Sequence, residues 1–75
     1  MTIRELLSQN KNLCSMTAAY LNVIAHHQSG EVFDIVNANH FCEDGKRLLD
    51  AEIESWYLCF DQHDIDVIEL RINLK

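Results

Sequence analysis

Proline is absent from this 75-residue chain, and glycine occurs only at Gly30 and Gly45. Such sparse punctuation leaves no flexible linker, low-complexity segment or internal repeat, so residues 1–75 read as one small domain. Cysteine is scarce as well. Cys14, Cys42 and Cys59 are odd in number and widely spaced, which makes a poor disulfide framework and favours free thiols in a reducing compartment. Long apolar runs are missing too: the longest, around Met16 to Ala25, falls well short of the roughly 20 residues a membrane helix needs. The start of the chain, Met1-Thr2-Ile3-Arg4-Glu5, carries no apolar stretch of signal length. These absences lead us to expect an unexported, cytoplasmic protein that does not engage a membrane.

Positive charge is the remaining shortage. Twelve acids face six basic residues, for a formal net charge of -6. Residues 1–30 hold Glu5 against Arg4 and Lys11, a net of +1, whereas residues 31–75 hold eleven acids against Lys46, Arg47, Arg71 and Lys75, a net of -7. An acidic field of this kind repels nucleic-acid phosphate and attracts basic protein surfaces. Size adds its own bound. A chain this short buries only about 60% of the surface its unfolded form exposes, enough for a modest core but not for a core plus a deep substrate cleft.

The local patterns predict an α+β fold. Thr2-Ile3-Arg4-Glu5 is a T-x-x-E capping box, and Ile3, Leu6 and Leu7 give the helix it opens an apolar edge. Ser15 reads as the cap of a second helix running to about His27, with Met16, Tyr20, Leu21, Val23 and Ile24 at helical spacing and Gly30 as its stop. His26 and His27 would then complement the macrodipole in its last turn. Glu31 to Asn37 is rich in β-branched and aromatic residues and reads as a strand. Ile65 to Leu74 reads as a second, with Ile68, Leu70, Ile72 and Leu74 on one face and a bulge near Val67 or Ile68.

Residues 46–60 admit two readings. As a helix, favoured through about Ser55 on propensity, the segment lines up Leu49, Ile53, Trp56 and Phe60, with Asp44 as a cap. As a strand it places Trp56, Leu58 and Phe60 on one face after a Glu43-Asp44-Gly45 turn. Both give an N-terminal helix pair packed on a two- or three-stranded sheet, in the order α-α-β-α-β or α-α-β-β-β. In either, Trp56 and Phe60 belong to the core, and Tyr57 is the better surface anchor.

Several groups invite a chemical role. His40, Cys42, Cys59 and His63 offer the nitrogen and sulfur ligands that zinc takes, although their spacing departs from structural zinc modules. Small buried thiols and surface imidazoles account for them more simply, and no metal or other cofactor is expected. Asp61, Asp64 and Asp66 lack the central glycine and closing glutamate of a calcium loop and read as a solvated turn. Glu52 and Glu54 read as a wet face rather than an acid–base pair. No phosphate-cradling glycine loop is present, and no cysteine–histidine constellation comes with an orienting group, so no enzyme activity is expected.

By elimination, the sequence points to a small acidic protein-binding module. It would act as an inhibitor, an antitoxin- or immunity-like factor or an adaptor, of the sort phages and other mobile elements encode, by occupying a basic surface of a larger protein. The residues expected at that interface are Glu43, Asp44, Asp50, Glu52, Glu54, Tyr57, Asp61, Asp64 and Asp66. Within that reading the carboxylates could also imitate nucleic-acid phosphates. A homodimer through the C-terminal strand would remedy the thin core. The alternatives are a zinc-stabilised mini-domain on His40, Cys42, Cys59 and His63, and a DNA-binding regulator. The second has only Arg4 and Lys11 in its helix pair to meet phosphate.

Overall fold

The computed structural model describes residues 1–9, 20–60 and 66–75. The capping box forms as the sequence requires: Glu5 N–H donates to Thr2 Oγ1 and Thr2 N–H to Glu5 Oε1, each at 3.3 Å. It opens α1 (Ile3–Gln9), whose Ile3 and Leu6 are fully buried.

The second expected helix does not form over residues 20–27, and its start at Ser15 and Met16 lies outside the described residues. Tyr20–His26 is a strand, β1, with Leu21, Val23 and Ala25 buried and Asn22, Ile24 and His26 half-buried between them. The helical spacing of Tyr20, Val23 and Ile24 competes with a two-residue alternation, and three β-branched or aromatic residues in five favour the extended chain. Gly30 therefore ends no helix. At φ 94° it closes the loop from β1 into β2 (Val32–Asn37), donating its N–H to the His27 carbonyl at 3.0 Å. His26 lies in β1 and His27 in that loop, where its Nδ1 lies 2.8 Å from Ser29 Oγ, so neither meets a helix dipole.

A two-residue turn, Ala38-Asn39, with φ of 47° and 68°, leads to the short β3 (His40–Phe41). The expected Glu43-Asp44-Gly45 turn is instead the first part of α2 (Glu43–Arg47), whose cap position is Cys42 rather than Asp44. No helix continues to Ser55. The chain turns at residues 48–50 and enters β4 (Ile53–Phe60), so the strand reading of Trp56, Leu58 and Phe60 is the correct one. The last strand, β5 (Val67–Leu74), buries Ile68, Leu70, Ile72 and Leu74 as the alternation predicts. It starts at Val67 and pairs without a register shift at Val67 or Ile68, so the expected bulge is not needed; Ile65 lies outside the described residues.

The fold is thus a five-stranded mixed sheet in the order β3-β2-β1-β5-β4, not a helix pair on two or three strands. β1 and β5 are parallel and every other neighbouring pair is antiparallel. The C-terminal strand, expected at an edge, is paired on both sides, and β3 and β4 are the outermost strands among the described residues, with Thr2 bridging Glu52 just before β4. Two register slips matter. Near Val23 the slip between β1 and β2 turns both Ile35 and Val36 into the core, and at the start of β4 a slip leaves Glu54 as an extra residue.

One face of the sheet carries the core. Ile3 and Leu6 of α1, with Leu48, Leu49 and Ala51 after α2, cover Leu21, Val23, Ala25, Ile35, Leu70 and Ile72. Gly45 is what lets α2 sit so close, since a Cβ there would stand 2.6 Å from the Ile35 carbonyl oxygen. On the other face, among the described residues, the rows from Asn22 to His26 and from Glu69 to Asn73 are only half-buried, and Tyr57 is exposed.

Candidate functional site

The sheet order decides which of the expected site residues can act together. His40 and Cys42 belong to the β3 edge and Cys59 to β4, the opposite edge. Four strand spacings separate those edges by about 19 Å, far beyond a shared metal ion. His63 lies outside the described residues, and among the described residues no three His, Cys, Asp or Glu side chains gather as a metal site. Cys42 and Cys59 are free thiols.

The acids expected at an interface are unequal. Lys46 pairs with Glu43 at 3.2 Å, Arg47 pairs with Asp44, and Arg4 pairs with Asp50 at 3.0 Å. The Arg4 guanidinium, by hydrogen bond and charge, holds the Asp50 carboxyl below its usual range. Such exposed pairs add little stability, but they spend the local charge on partners within the chain. Glu52 faces the Met1 amino group at 3.4 Å. Glu54 receives a long 3.5 Å hydrogen bond from Gln28 Nε2, and no cation among the described residues pairs with it. Asp66 is exposed just before β5, and Asp61 and Asp64 lie outside the described residues.

Tyr57 is exposed, as expected, and is fixed in place. Arg71 on β5 sits across from it, with its guanidinium 5.8 Å from the ring centroid and Nη1 donating to the Tyr57 hydroxyl at 3.2 Å. The other end of Arg71 holds Glu69 at 2.6 Å, and Glu69 accepts in turn from the Cys59 thiol at 3.5 Å. Desolvation, with the Glu69 carboxylate beside it, pushes the Cys59 thiol up from its ordinary value. The thiol is therefore kept protonated and is a poor nucleophile at neutral pH.

The largest departure from expectation is on the other side of β4. Trp56, Leu58 and Phe60 point toward the core face, opposite Ile72, Leu70 and Ile68. All three are nonetheless exposed, by 40%, 44% and 70%. Trp56 and Phe60 were expected in the core, but the cover supplied by α1 and residues 48–51 does not extend over this edge of the sheet. With Tyr57 on the reverse face, four large apolar or aromatic side chains lie open within five residues of an edge strand. The sequence holds a signal for this: Trp56 to Phe60 is apolar at every position, which suits either a strand covered on both faces or a strand that binds something.

Two shallow depressions flank the start of β4. One, of about 310 Å³, has Phe33, Leu48, Ala51 and Leu74 as an apolar floor between Glu31 and Glu52. The other, of about 250 Å³, lies beside Glu54, His26 and Asn73. The chain was compared with protein-family models, with curated proteins and with solved structures, and none matches. No helix among the described residues is long and apolar enough to cross a membrane.

Proposed function

We propose that the chain is a cytoplasmic protein-binding module that acts by occupying a basic surface of a larger protein, as an inhibitor, an antitoxin- or immunity-like factor or an adaptor. The observation that carries this reading is the exposed set Trp56, Tyr57, Leu58 and Phe60 on edge strand β4. Aromatic side chains dominate interface energies, and beyond the slip at Glu54 the edge from Ser55 to Phe60 holds neither a charged residue nor proline to protect it against pairing. The net charge of -6 supplies the second half of the argument, because it speeds approach to a positive surface and disfavours acidic ones. Glu54, at the start of the same strand, brings that charge to the interface. Glu43, Asp44 and Asp50 contribute less, since Lys46, Arg47 and Arg4 already answer them. The same pairing weakens mimicry of nucleic acid, which needs a row of uncompensated carboxylates.

Affinity capture from source cells at low and high salt tests the reading, with the wild-type chain run beside a Leu58→Gln/Phe60→Gln variant. A basic protein retained stoichiometrically, released as salt rises and lost with the variant supports it. Retention of no protein at either salt overturns it.

A further inference from the structure

The exposed residues of β4 are not scattered over a surface. They lie within five residues of the outermost strand, with no strand beyond those residues among the described part of the chain. We infer that β4 takes its partner as an added β-strand: an extended segment with apolar side chains at alternate positions and lysine or arginine at the end that lies beside Glu54. This deepens the protein-binding reading above and rests on it.

Three observations converge. First, β4 pairs regularly with β5 from Ser55 to Phe60, so its backbone is already held extended and twisted for another ladder; Met1 and Thr2 meet the start of the strand, where Ile53 N–H donates to the Met1 carbonyl at 2.8 Å and Thr2 bridges Glu52, but from Ser55 to Phe60 no strand among the described residues lies on its outer side. Second, the alternation of the strand matches what a new strand would require. Trp56, Leu58 and Phe60 continue the apolar face of the sheet past its edge, while Ser55, Tyr57 and Cys59 lie on the reverse face, opposite Asn73, Arg71 and Glu69. An added strand with a two-residue period would bury one row of its side chains against the first set and leave the other row with Tyr57. Third, the charge lies at one end. Glu54 is displaced at the start of β4 by the register slip, is exposed and has no cation among the described residues, whereas Glu52, two residues before it, is already answered by the Met1 amino group. An antiparallel segment, the slightly more stable arrangement, sets its C-terminal end there.

The same charges select against a second copy of this chain. In an antiparallel pairing of β4 with β4, the Glu54 end of one copy meets the end of the other, where Asp61 follows Phe60 in sequence. Each copy also carries a net charge of -6. A partner of opposite charge avoids both penalties.

The test uses synthetic peptides and the full chain, with Trp56, the only tryptophan, as the fluorescent reporter. The first peptide is capped at both ends, with alternating valine and serine over eight residues followed by two lysines. The second replaces the lysines with glutamates, and the third carries N-methyl groups on alternate amides so that it cannot complete a ladder. The expected result is saturable binding of the first peptide with a change in Trp56 emission. The glutamate peptide should bind at least tenfold more weakly at low salt, the N-methylated peptide should not bind, and Glu54→Gln should narrow the gap between the lysine and glutamate peptides. Leu58→Gln/Phe60→Gln should lose at least tenfold in affinity with an unchanged circular dichroism spectrum. Equal binding of all three peptides, or of none, overturns strand addition. Sedimentation of the chain alone as a dimer would give the edge to a second copy and also overturn the inference. The protein-binding reading is decided separately: a basic protein captured equally by wild type and by the double variant leaves that reading standing while removing β4 as its site.

Discussion

Leu58 and Leu70 stand directly opposite one another across the β4–β5 pair, on the same face of the sheet; Leu70 is wholly buried and Leu58 is 44% exposed. Two identical side chains, one strand apart, thus sit on either side of the boundary between core and surface. The core encloses Leu70 and leaves much of Leu58 in water, which is why β4 carries the proposal made above.

Truncating the two leucines should therefore give opposite results. Leu70→Ala opens a cavity under α1 and should cost about 3–5 kcal/mol, a large share of the stability of so small a domain. Leu58→Ala should cost less than about 1 kcal/mol, because much of its side chain is already in water. Urea denaturation followed by circular dichroism checks both, and partner capture should be affected in the reverse order.

Gly45→Ala offers a test of how α2 is seated. By helix propensity alone, alanine should stabilise a helical position by about 1 kcal/mol. Here the new methyl would meet the Ile35 carbonyl oxygen at 2.6 Å and Ile35 Cγ2 and Phe41 Cε2 at 2.9 Å. Backbone cannot yield cheaply, so the sign reverses and the variant should lose about 1–3 kcal/mol. A rise in thermal midpoint would show that α2 is seated differently.

The β2–β3 turn makes the opposite kind of prediction. Ala38 is held at φ 47°, where an L side chain costs roughly 1–2 kcal/mol, and its N–H donates to Asn22 Oδ1 at 2.8 Å. Ala38→Gly keeps that hydrogen bond and should stabilise by up to about 1 kcal/mol. Asn39→Ala should destabilise, by about 1–2 kcal/mol, because it removes the Oδ1 that accepts from Leu21 N–H at 2.8 Å and places alanine at φ 68°. Thermal melts of the two variants should bracket the wild type.

Cys59 provides a pH signature. Its folded-state thiol titrates above its ordinary value, through desolvation and then Glu69, so its contribution to stability is complete below the unfolded-state value and is lost as pH rises through the folded one. Stability should decline on the alkaline side of pH 9, less steeply in Cys59→Ser, and Glu69→Gln should speed alkylation of Cys59 by iodoacetamide. Unchanged alkylation in Glu69→Gln would show that the carboxylate does not restrain the thiol.

How far the sequence foretold this molecule follows from which forces act locally. The Thr2–Glu5 box and the alternation from Ile68 to Leu74 are complete within a few residues, and both appear where the pattern placed them. Tyr20–His26 is different. Its residues satisfy a helical and a two-residue period at once, and what selects the strand is β5, which pairs with it in parallel from more than forty positions away. The exposure of β4 is hidden in the sequence for a related reason. Trp56, Leu58 and Phe60 look like core because they are large and apolar, and only the sheet order shows that β4 ends up outermost, beyond the helices that cover the rest. Among the expected site residues, Glu54 and Tyr57 lie on that edge, whereas Glu43 and Asp44 are answered by Lys46 and Arg47 at the i,i+3 spacing of a helix, and Asp50 by Arg4 from far off in the sequence.

The most direct measurement is amide hydrogen exchange of residues 54–60 in the free chain and in complex with the captured partner. The account predicts fast exchange at alternate amides of β4 in the free chain, slowed at least tenfold on binding, with β3 unchanged. Protection that appears elsewhere while β4 continues to exchange freely would contradict it.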